Sequence, residues 1–323
     1  MKLSYSALST YQACPMQYRF RYVDKLPSLP SPAISFGRSL HEALRWFYDV
    51  PTPDPPSLEE LIDYLEMCWV SEGYATPEEE ARYFYHAMSV LNVYYRNNVE
   101  SFRLPLALEQ YFLIDLDFCE LSGVIDRLDK RGTGEIEIID YKTNRRVPPS
   151  SKLFDDLQLP IYHIATTQVW GITPDLVTFY YLIPDHRHTI KVSDEWLSRA
   201  IDTIRDIVSR IESEIFEPRE NPLCPWCDYL NECPLMSGKV TPKKASQAPD
   251  MEIGMVVDEL IIIKKKIPVM TKIAEGLEAI VRSYLIGRRM NSVAGFRGVV
   301  SLDESGGISV ISETLFEEGK TEF

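Results

Sequence analysis

The sequence feature that most constrains the fold is a pair of apolar runs of alternating character, at 121–128 and 135–141. A short segment rich in charge and glycine, 130–134, separates the two runs. Alternation of this kind is typical of strands with one buried face, and a glycine-containing connection of this length is typical of a tight turn. The stretch therefore predicts an antiparallel hairpin around which the rest of the chain is arranged.

Charged side chains meet on this hairpin. Asp126 lies on the first strand, and Asp140 and Lys142 share one face of the second because they are two residues apart. A turn near residue 132 places Asp126 roughly opposite Asp140, and Gly123 leaves room for a large group to approach. Two close carboxylates repel each other unless a divalent cation lies between them, and such an ion can activate water for attack on a phosphate. Taken alone, a D-x-K sequence is far more often a salt bridge at a strand end, and it is the G-x-x-D at 123–126 that favours the ion site.

Two further side chains are candidates for such an ion site. The segment 35–48 predicts an amphipathic helix that carries His41, and 106–116 predicts a strand that carries Glu109. If the helix packs against the hairpin, His41 becomes a third metal ligand through a neutral ring nitrogen. A histidine without a metal partner and a buried, paired structural glutamate are the competing interpretations.

The segments around the hairpin complete a mixed α/β pattern. A helix predicted at 155–169 carries Gln158 and Tyr162 on one face, where we expect an exposed amide and phenol beside the ion site. The other predicted elements are helices at 4–22 (in two pieces), 57–72, 76–99 and 193–216, and strands at 176–183 and 189–192.

Four of the six cysteines form a split set. Cys224, Cys227 and Cys233 are spaced C-x2-C-x5-C, and Cys14 is the natural fourth member. Thiols spaced so closely in a reduced compartment bind metal more often than they remain unused. An iron–sulfur cluster and a structural zinc ion both fit this spacing. Either would join the start of the chain to the end of a domain.

Charge and hydropathy restrict the function classes. A net charge of −14 argues against a protein that coats nucleic acid, but not against an enzyme that cleaves it with acidic side chains. Residues 239–299 differ, with eleven basic against six acidic side chains. No run of about 18 apolar residues and no signal peptide is present, so we expect a soluble, cytoplasmic protein without a membrane partner.

Several short motifs occur in a fixed order along the chain. They are G-x-x-x-H at 37–41, G-x-x-D at 123–126, D-Y-K at 140–142, Q-x-x-x-Y at 158–162 and the split cysteine set. With the opening S-x-S-x-L-x-x-Y-x-x-C-P-x-x-Y, they resemble the RecB-like branch of the PD-(D/E)XK nuclease superfamily over about residues 3–235. The chain is similar in particular to its iron–sulfur members, the CRISPR-associated four-cysteine exonucleases and the AddB-type nuclease domains.

The resemblance implies a cofactor and a set of site residues. It implies a [4Fe–4S] cluster on Cys14, Cys224, Cys227 and Cys233. It implies Mg²⁺ or Mn²⁺ on His41, Asp126, Asp140 and the carbonyl of Tyr141, with Lys142 at the attacking water and Gln158 and Tyr162 on the DNA strand.

The resemblance also implies a fold and a domain order. The expected fold is an α/β, restriction-endonuclease-like core in which helices flank a mixed central sheet, with an N-terminal helical region and a small C-terminal extension. The expected segments are a nuclease domain at 1–237 with a helical insertion at 57–101, a linker at 238–250, and an extension of unassigned role at 251–323. In the extension we expect a helix at 258–285 interrupted at Pro268, then a hairpin at 293–311 that turns at Ser305-Gly306-Gly307.

The function that these features favour is a metal-dependent DNA exonuclease that hydrolyses phosphodiester bonds by in-line attack of water. Single-stranded DNA or DNA ends are the expected substrate, in CRISPR adaptation or in recombination and repair, with a CRISPR integrase or a helicase as the expected protein partner. The alternatives are a non-catalytic accessory protein that binds DNA ends and has a structural cluster, a nuclease with zinc in place of iron, and a nuclease that acts on RNA.

Overall fold

The computed structural model describes residues 1–240, 253–295, 298–303 and 306–311. The chain divides into two compact units, Met1–Pro249 and Asp250–Phe323. The greater part of the predicted linker and Ser305 of the predicted turn lie outside the described residues. Within the described part of the chain, no helix combines the length and the apolar character that a membrane crossing requires.

Helices and strands of the first unit alternate as expected of a mixed fold. The helices are α1 (Tyr5–Ala13), α2 (Pro15–Tyr18), α3 (Pro32–Tyr48), α4 (Leu58–Cys68), α5 (Pro77–Asn98), α6 (Ser150–Phe154), α7 (Gln158–Trp170) and α8 (Asp194–Glu212). The strands are β1 (Lys2–Ser4), β2 (Ala107–Asp115), β3 (Glu120–Lys130), β4 (Ile136–Lys142), β5 (Leu176–Tyr181) and β6 (His186–Lys191).

Strand β3 is the centre of the sheet. Antiparallel β2 occupies one of its edges along almost its whole length. On the opposite edge, β1 runs parallel to residues 120–122 and β4 runs antiparallel to residues 127–130, which leaves a short gap between them. β4 continues the sheet through parallel β5 to antiparallel β6. The predicted hairpin and the predicted mixed sheet are therefore confirmed.

The sheet separates two apolar cores. Helices α1, α7 and α8 cover one face and form the first core, whereas α3, α4 and α5 cover the other and form the second. Successive residues of β4 alternate between them, with Ile138 in the first core and Ile139 in the second. Because both faces are covered, β5 is buried along its whole length. The predicted insertion at 57–101 supplies α4 and α5 and is thus part of the second core.

Several element boundaries differ from the sequence prediction. Residues Lys2–Ser4 form β1, which is too short to show a strand pattern of its own. Helix α3 begins at Pro32, since proline is well tolerated in the first turn of a helix. Helix α7 begins at Gln158 rather than at residue 155, and a carboxylate oxygen of Asp156 accepts a hydrogen bond from the N–H of Gln158 at 2.8 Å.

An ion pair between a half-buried arginine and a buried glutamate stabilises the hairpin. Nε of Arg131, in the turn, lies 2.6 Å from Oε2 of Glu137 on β4, and the hydroxyl of Thr178 on β5 donates to the same carboxylate. Burial alone would raise the pKa of Glu137, but the hydrogen bonds from Arg131 and Thr178 lower it below its ordinary value. The negatively charged form therefore stabilises the fold at neutral pH.

A Glu137→Gln variant is expected to lower the free energy of unfolding by about 2 kcal/mol at pH 7, because it leaves Arg131 and Thr178 without their charged partner. Since the folded-state pKa of Glu137 is lowered, this contribution is complete above the ordinary glutamate pKa of about 4.3 and disappears as the pH falls through the folded-state value. Urea unfolding at pH 7 and pH 3.5 measures both effects. Glu135→Gln, in the exposed turn, is the control and should change stability little.

The second unit contains one long helix and a small sheet. Helix α9 (Ile253–Arg288) continues through Pro268, so the predicted interruption there is wrong. A proline removes one N–H donor, and on an exposed helix water can satisfy the carbonyl that is left without it. Strands β7 (Ser292–Gly295), β8 (Gly298–Leu302) and β9 (Ile308–Ile311) form an antiparallel sheet, which adds a strand to the predicted hairpin.

Candidate active site

The gap on the edge of β3 exposes one carboxylate to the neighbouring elements. Asp126 lies between the residues of β3 that pair with β1 and those that pair with β4. Its Oδ2 accepts a hydrogen bond from the N–H of Tyr141 at 2.8 Å. The hairpin register thus brings Asp126 beside the Asp140–Tyr141 peptide, where the sequence placed it.

Helix α3 brings a histidine to the same gap. Nδ1 of His41 lies 3.4 Å from Oδ2 of Asp126, and Nε2 lies 3.1 Å from the carbonyl oxygen of Tyr141. One turn earlier, Gly37 allows the helix to approach the end of the hairpin, because a Cβ there would lie 3.3 Å from Oγ1 of Thr143. The G-x-x-x-H motif therefore combines a close helix contact with a ligand one turn later.

Glu109 on β2 completes this group. Its neighbours in the strand pair with the neighbours of Asp126, Leu108 with Arg127 and Gln110 with Ile125, so Glu109 lies opposite Asp126. Glu109 has a positive φ of 45°, a conformation that side chains with a Cβ rarely adopt. A strained backbone of this kind is concentrated at functional sites, where the surrounding structure enforces it.

At Glu109, the alternation of side chains between the two faces of β2 is interrupted. Ala107 packs against the first core and Leu108 against the second, whereas beyond Glu109 the even-numbered residue Phe112 lies in the first core. The face on which each side chain lies therefore switches at Glu109, and its carboxylate reaches the pocket. A regular alternating pattern could not have placed it there, so the sequence left its role open.

Lys142 and Gln158 surround the second carboxylate of the hairpin. Nζ of Lys142 lies 2.6 Å from Oδ2 of Asp140 and also donates to the side-chain oxygen of Gln158. Nε2 of Gln158 donates to Oδ1 of Asp140 at 2.6 Å and lies 2.8 Å from the hydroxyl of Tyr162. The shared faces predicted for Asp140 with Lys142, and for Gln158 with Tyr162, thus meet in one network.

Two expectations about this network are wrong. Gln158 and Tyr162 are only 7% and 6% exposed, not the exposed amide and phenol that their spacing suggested. Helix α7 packs in the first core, so its face toward β4 is covered. Gly123 does not leave space for an approaching group either, because the ring of Phe112 fills it and a Cβ there would lie 2.8 Å from that ring.

Acidic side chains are crowded together in the pocket, and this shifts their pKa values. Burial raises the pKa of Asp140 to about 7, and burial together with the nearby carboxylate of Asp126 raises the pKa of Glu109 to about 7. Burial opposes protonation of His41, but the carboxylates around it raise its pKa to about 9. The pKa of Asp126 is lowered, because protonated His41 and hydrogen bonds outweigh the effect of burial. Such a pocket would stabilise a further cation.

Three side chains are close enough to share one ion. His41, Glu109 and Asp126 each offer a ligand atom, and these atoms lie within 4.8 Å of one another. One ring nitrogen with two carboxylates is a donor set that suits Mg²⁺ or Mn²⁺. Asp140 is not a member of this close group, since its oxygens lie against Lys142 and Gln158. The residues present therefore fit a divalent cation.

The four predicted cluster cysteines are brought together at a separate place. Cys14 follows α1, and with Cys224, Cys227 and Cys233 it lines one cavity of about 200 Å³. Backbone N–H groups approach two of the sulfurs, at 3.4 Å for Cys14 and 3.3 Å for Cys224. Such contacts stabilise thiolates that bind iron. The two other cysteines, Cys68 on α4 and Cys119 before β3, do not line this cavity.

Comparison with known proteins gives a consistent result. Residues 2–234 match the family model described as the PD-(D/E)XK nuclease superfamily. The chain is 23% identical over 269 residues to the gene 69 protein of Mycobacterium phage D29, a match that covers 72% of this chain and 96% of the phage protein.

Two further relatives are matched over shorter regions. The chain is 28% identical over 176 residues to an ATP-dependent helicase/deoxyribonuclease component of Streptococcus uberis, a match that covers 50% of this chain and only 16% of that protein. It is 27% identical over 140 residues to the CRISPR-associated exonuclease Cas4 of Francisella tularensis subsp. novicida, a match that covers 42% of this chain and 64% of that protein.

Proposed function

The chain belongs to the PD-(D/E)XK nuclease superfamily, and we propose that it is a metal-dependent exonuclease acting on single-stranded DNA or on DNA ends. As a PD-(D/E)XK-type deoxyribonuclease, it is a hydrolase of phosphodiester bonds. The observation that carries the proposal is the convergence of Asp126, Asp140 and Lys142 with His41 and Glu109 in one pocket. The printed names of two relatives, an exonuclease and a helicase/deoxyribonuclease component, support the choice of DNA.

A divalent cation belongs to this activity. We assign it to His41, Glu109 and Asp126, with Asp140 and the carbonyl of Tyr141 beside them. When bound, Mg²⁺ or Mn²⁺ neutralises charge on the phosphate and lowers the pKa of a bound water. The composition of the pocket supports this assignment, because three carboxylates, Glu109, Asp126 and Asp140, surround the place where His41 and Lys142 also lie.

Other side chains of the pocket are assigned roles in water activation and in positioning. The ammonium group of Lys142 lies beside Asp140, where it can orient the attacking water and stabilise the charge that develops on phosphorus. The water oxygen forms the new bond to phosphorus and gives up a proton to solvent. The bond to the leaving sugar oxygen breaks, and that oxygen takes up a proton from solvent. The side chain of Gln158 donates hydrogen bonds to Asp140 and to the hydroxyl of Tyr162, and it accepts one from Lys142. We therefore assign Gln158 and Tyr162 a positioning role in addition to the DNA contact that the resemblance implies.

We assign a [4Fe–4S] cluster to the cysteine cavity, because the four cysteines of the split set line it and backbone N–H groups approach two of their sulfurs. The cluster joins the segment after α1 to the segment after α8, so we assign it a structural role in the nuclease unit.

The relatives suggest the setting in which this activity is used. Recombination or repair with a helicase partner and CRISPR adaptation with an integrase partner both require trimming of DNA ends. The pathway and the partner are proposals, since the match covers 64% of the Cas4 relative and 16% of the helicase-associated one. We place the protein in the cytoplasm, together with its DNA substrate.

Cleavage of labelled DNA tests the proposed function. Purified protein with Mn²⁺ is expected to shorten linear strands labelled at the 5′ or the 3′ end stepwise, to leave circular single strands intact, and to stop when EDTA is added. Binding of DNA ends without cleavage would instead establish the non-catalytic accessory protein. Equal cleavage of the circle would contradict an exonuclease, and cleavage of RNA in preference to DNA would contradict the assigned substrate.

A Glu109→Gly variant is expected to weaken Mn²⁺ binding about tenfold or more, because a ligand is lost. At the same time we expect the metal-free protein to become more stable by about 1 kcal/mol, because glycine adopts a positive φ without strain. Calorimetric titration and urea unfolding measure the two changes. The matched control is Gln110→Gly on the same strand, which should lower stability and leave Mn²⁺ affinity unchanged. A less stable Glu109→Gly variant with unchanged affinity would identify a structural glutamate.

A further inference from the structure

Helix α9 carries a repeat that the nuclease function does not use. Apolar residues recur along it every three and four residues, which is the heptad pattern of a helix that pairs along a narrow seam. The a positions are Ile253, Leu260, Ile267, Ala274 and Val281, and the d positions are Val256, Ile263, Met270, Leu277 and Tyr284. The pattern holds for five consecutive heptads without a charged residue at either position, whereas about three or four are enough to indicate a coiled coil.

Large apolar side chains of the seam are exposed. Leu260, Ile267, Met270 and Leu277 are each at least half exposed. At about 1.5 Å per residue, residues 253–284 of this helix span about 48 Å, so the seam forms a continuous apolar stripe of that length. Isolated exposed apolar side chains are ordinary, but a contiguous stripe of this size marks an interaction surface.

Charge is kept away from the seam. Between residues 253 and 284, every lysine, arginine, aspartate and glutamate occupies a position other than a or d. The run Lys264-Lys265-Lys266 falls at e, f and g, and Pro268 falls at b, so neither lies on the line of contact. This segregation fits a helical partner that packs along the a and d positions. Ile273 and Ile280, 49% and 66% exposed at g, extend the apolar surface beside them.

We propose that this stripe, Ile253–Tyr284, is the interface through which the chain associates with a second copy of itself. A seam with a repeat of 3.5 residues packs best on a helix with the same repeat, because both then supercoil with the same pitch. An identical helix satisfies this condition over all five heptads. It also generates a closed, symmetric assembly in which each copy supplies the same residues. The assembly carries two nuclease units.

The mass of the full chain in solution tests the proposal. Sedimentation equilibrium of the purified protein at micromolar concentration is expected to give about twice the 37.2 kDa of one chain, or a higher whole multiple. A wild-type chain that remains a monomer up to about 100 µM overturns the proposal, because its dissociation constant would then be too high for a specific interface.

Matched pairs of variants distinguish specific association through the seam from non-specific hydrophobic association. Met270→Lys, at a d position and 60% exposed, is expected to raise the dissociation constant about a hundredfold, because it places a charge in the seam. Val269→Lys, at a c position and 59% exposed, should leave it unchanged. Leu277→Lys, 58% exposed at d, and Ile286→Lys, 62% exposed at f, repeat the comparison. Equal effects within each pair overturn the proposal, and the far-ultraviolet circular dichroism of each variant verifies that it is folded.

Discussion

An Asp140→Asn variant is expected to cleave DNA about a thousandfold more slowly than the wild type, or worse, while it keeps its fold. The substitution preserves the shape of the side chain but removes the charge that pairs with Lys142 and that faces the ion site. Gln158 would still find an oxygen to bond, so the local structure should persist. Single-turnover rates on end-labelled DNA with saturating Mn²⁺ measure the loss.

Glu137→Gln provides the control for this experiment. Glu137 lies on the same strand three residues earlier, is equally buried, and undergoes the same carboxylate-to-amide change. Because its partners are Arg131 and Thr178 and not the ion site, the variant should lose stability and keep its cleavage rate per folded molecule. A rate for Asp140→Asn within tenfold of the wild type would show that this carboxylate is not part of the catalytic machinery.

The second large effect is expected at the cysteine cavity. A Cys227→Ser variant should lose absorbance near 400 nm, most of its iron, and about 10 °C of melting temperature, because the cluster no longer joins the two segments of the nuclease unit. Iron analysis, visible spectroscopy and thermal unfolding measure the three changes.

Cys119→Ala is the matched control for the cluster. Cys119 is buried before β3 and does not line the cavity, so its loss should leave iron and absorbance at the wild-type level. A colourless wild-type protein with one zinc ion per chain would replace the iron–sulfur assignment by a zinc site. Unchanged iron content in Cys227→Ser would remove this cysteine from the ligand set.

Local sequence patterns were sufficient to predict which site residues lie together wherever the backbone is a regular hairpin or helix. A hairpin with a short turn fixes which residues lie opposite each other, so Asp126 could be placed beside Asp140 from the sequence. Helical spacing likewise places His41 one turn after Gly37, and the cysteine spacing predicts a shared centre. These relations depend on residues close in sequence or on chemistry that few residue types provide.

The parts that were missed depend on contacts between distant segments. Glu109 reaches the pocket only because the backbone of β2 adopts a positive φ, which no alternating pattern encodes. The burial of Gln158 and Tyr162 depends on how α7 packs in the first core. The space beside Gly123 is filled by Phe112, a residue of another strand, and this is visible only when the strand register is known.

The two cores meet at the pocket, so the catalytic site depends on the packing of both. His41 comes from a helix of one layer and Gln158 from a helix of the other, while the strands between them supply the acids. A molecule in which either layer has loosened cannot assemble the set. Cleavage activity is therefore expected only from chains in which both layers of the nuclease unit are packed.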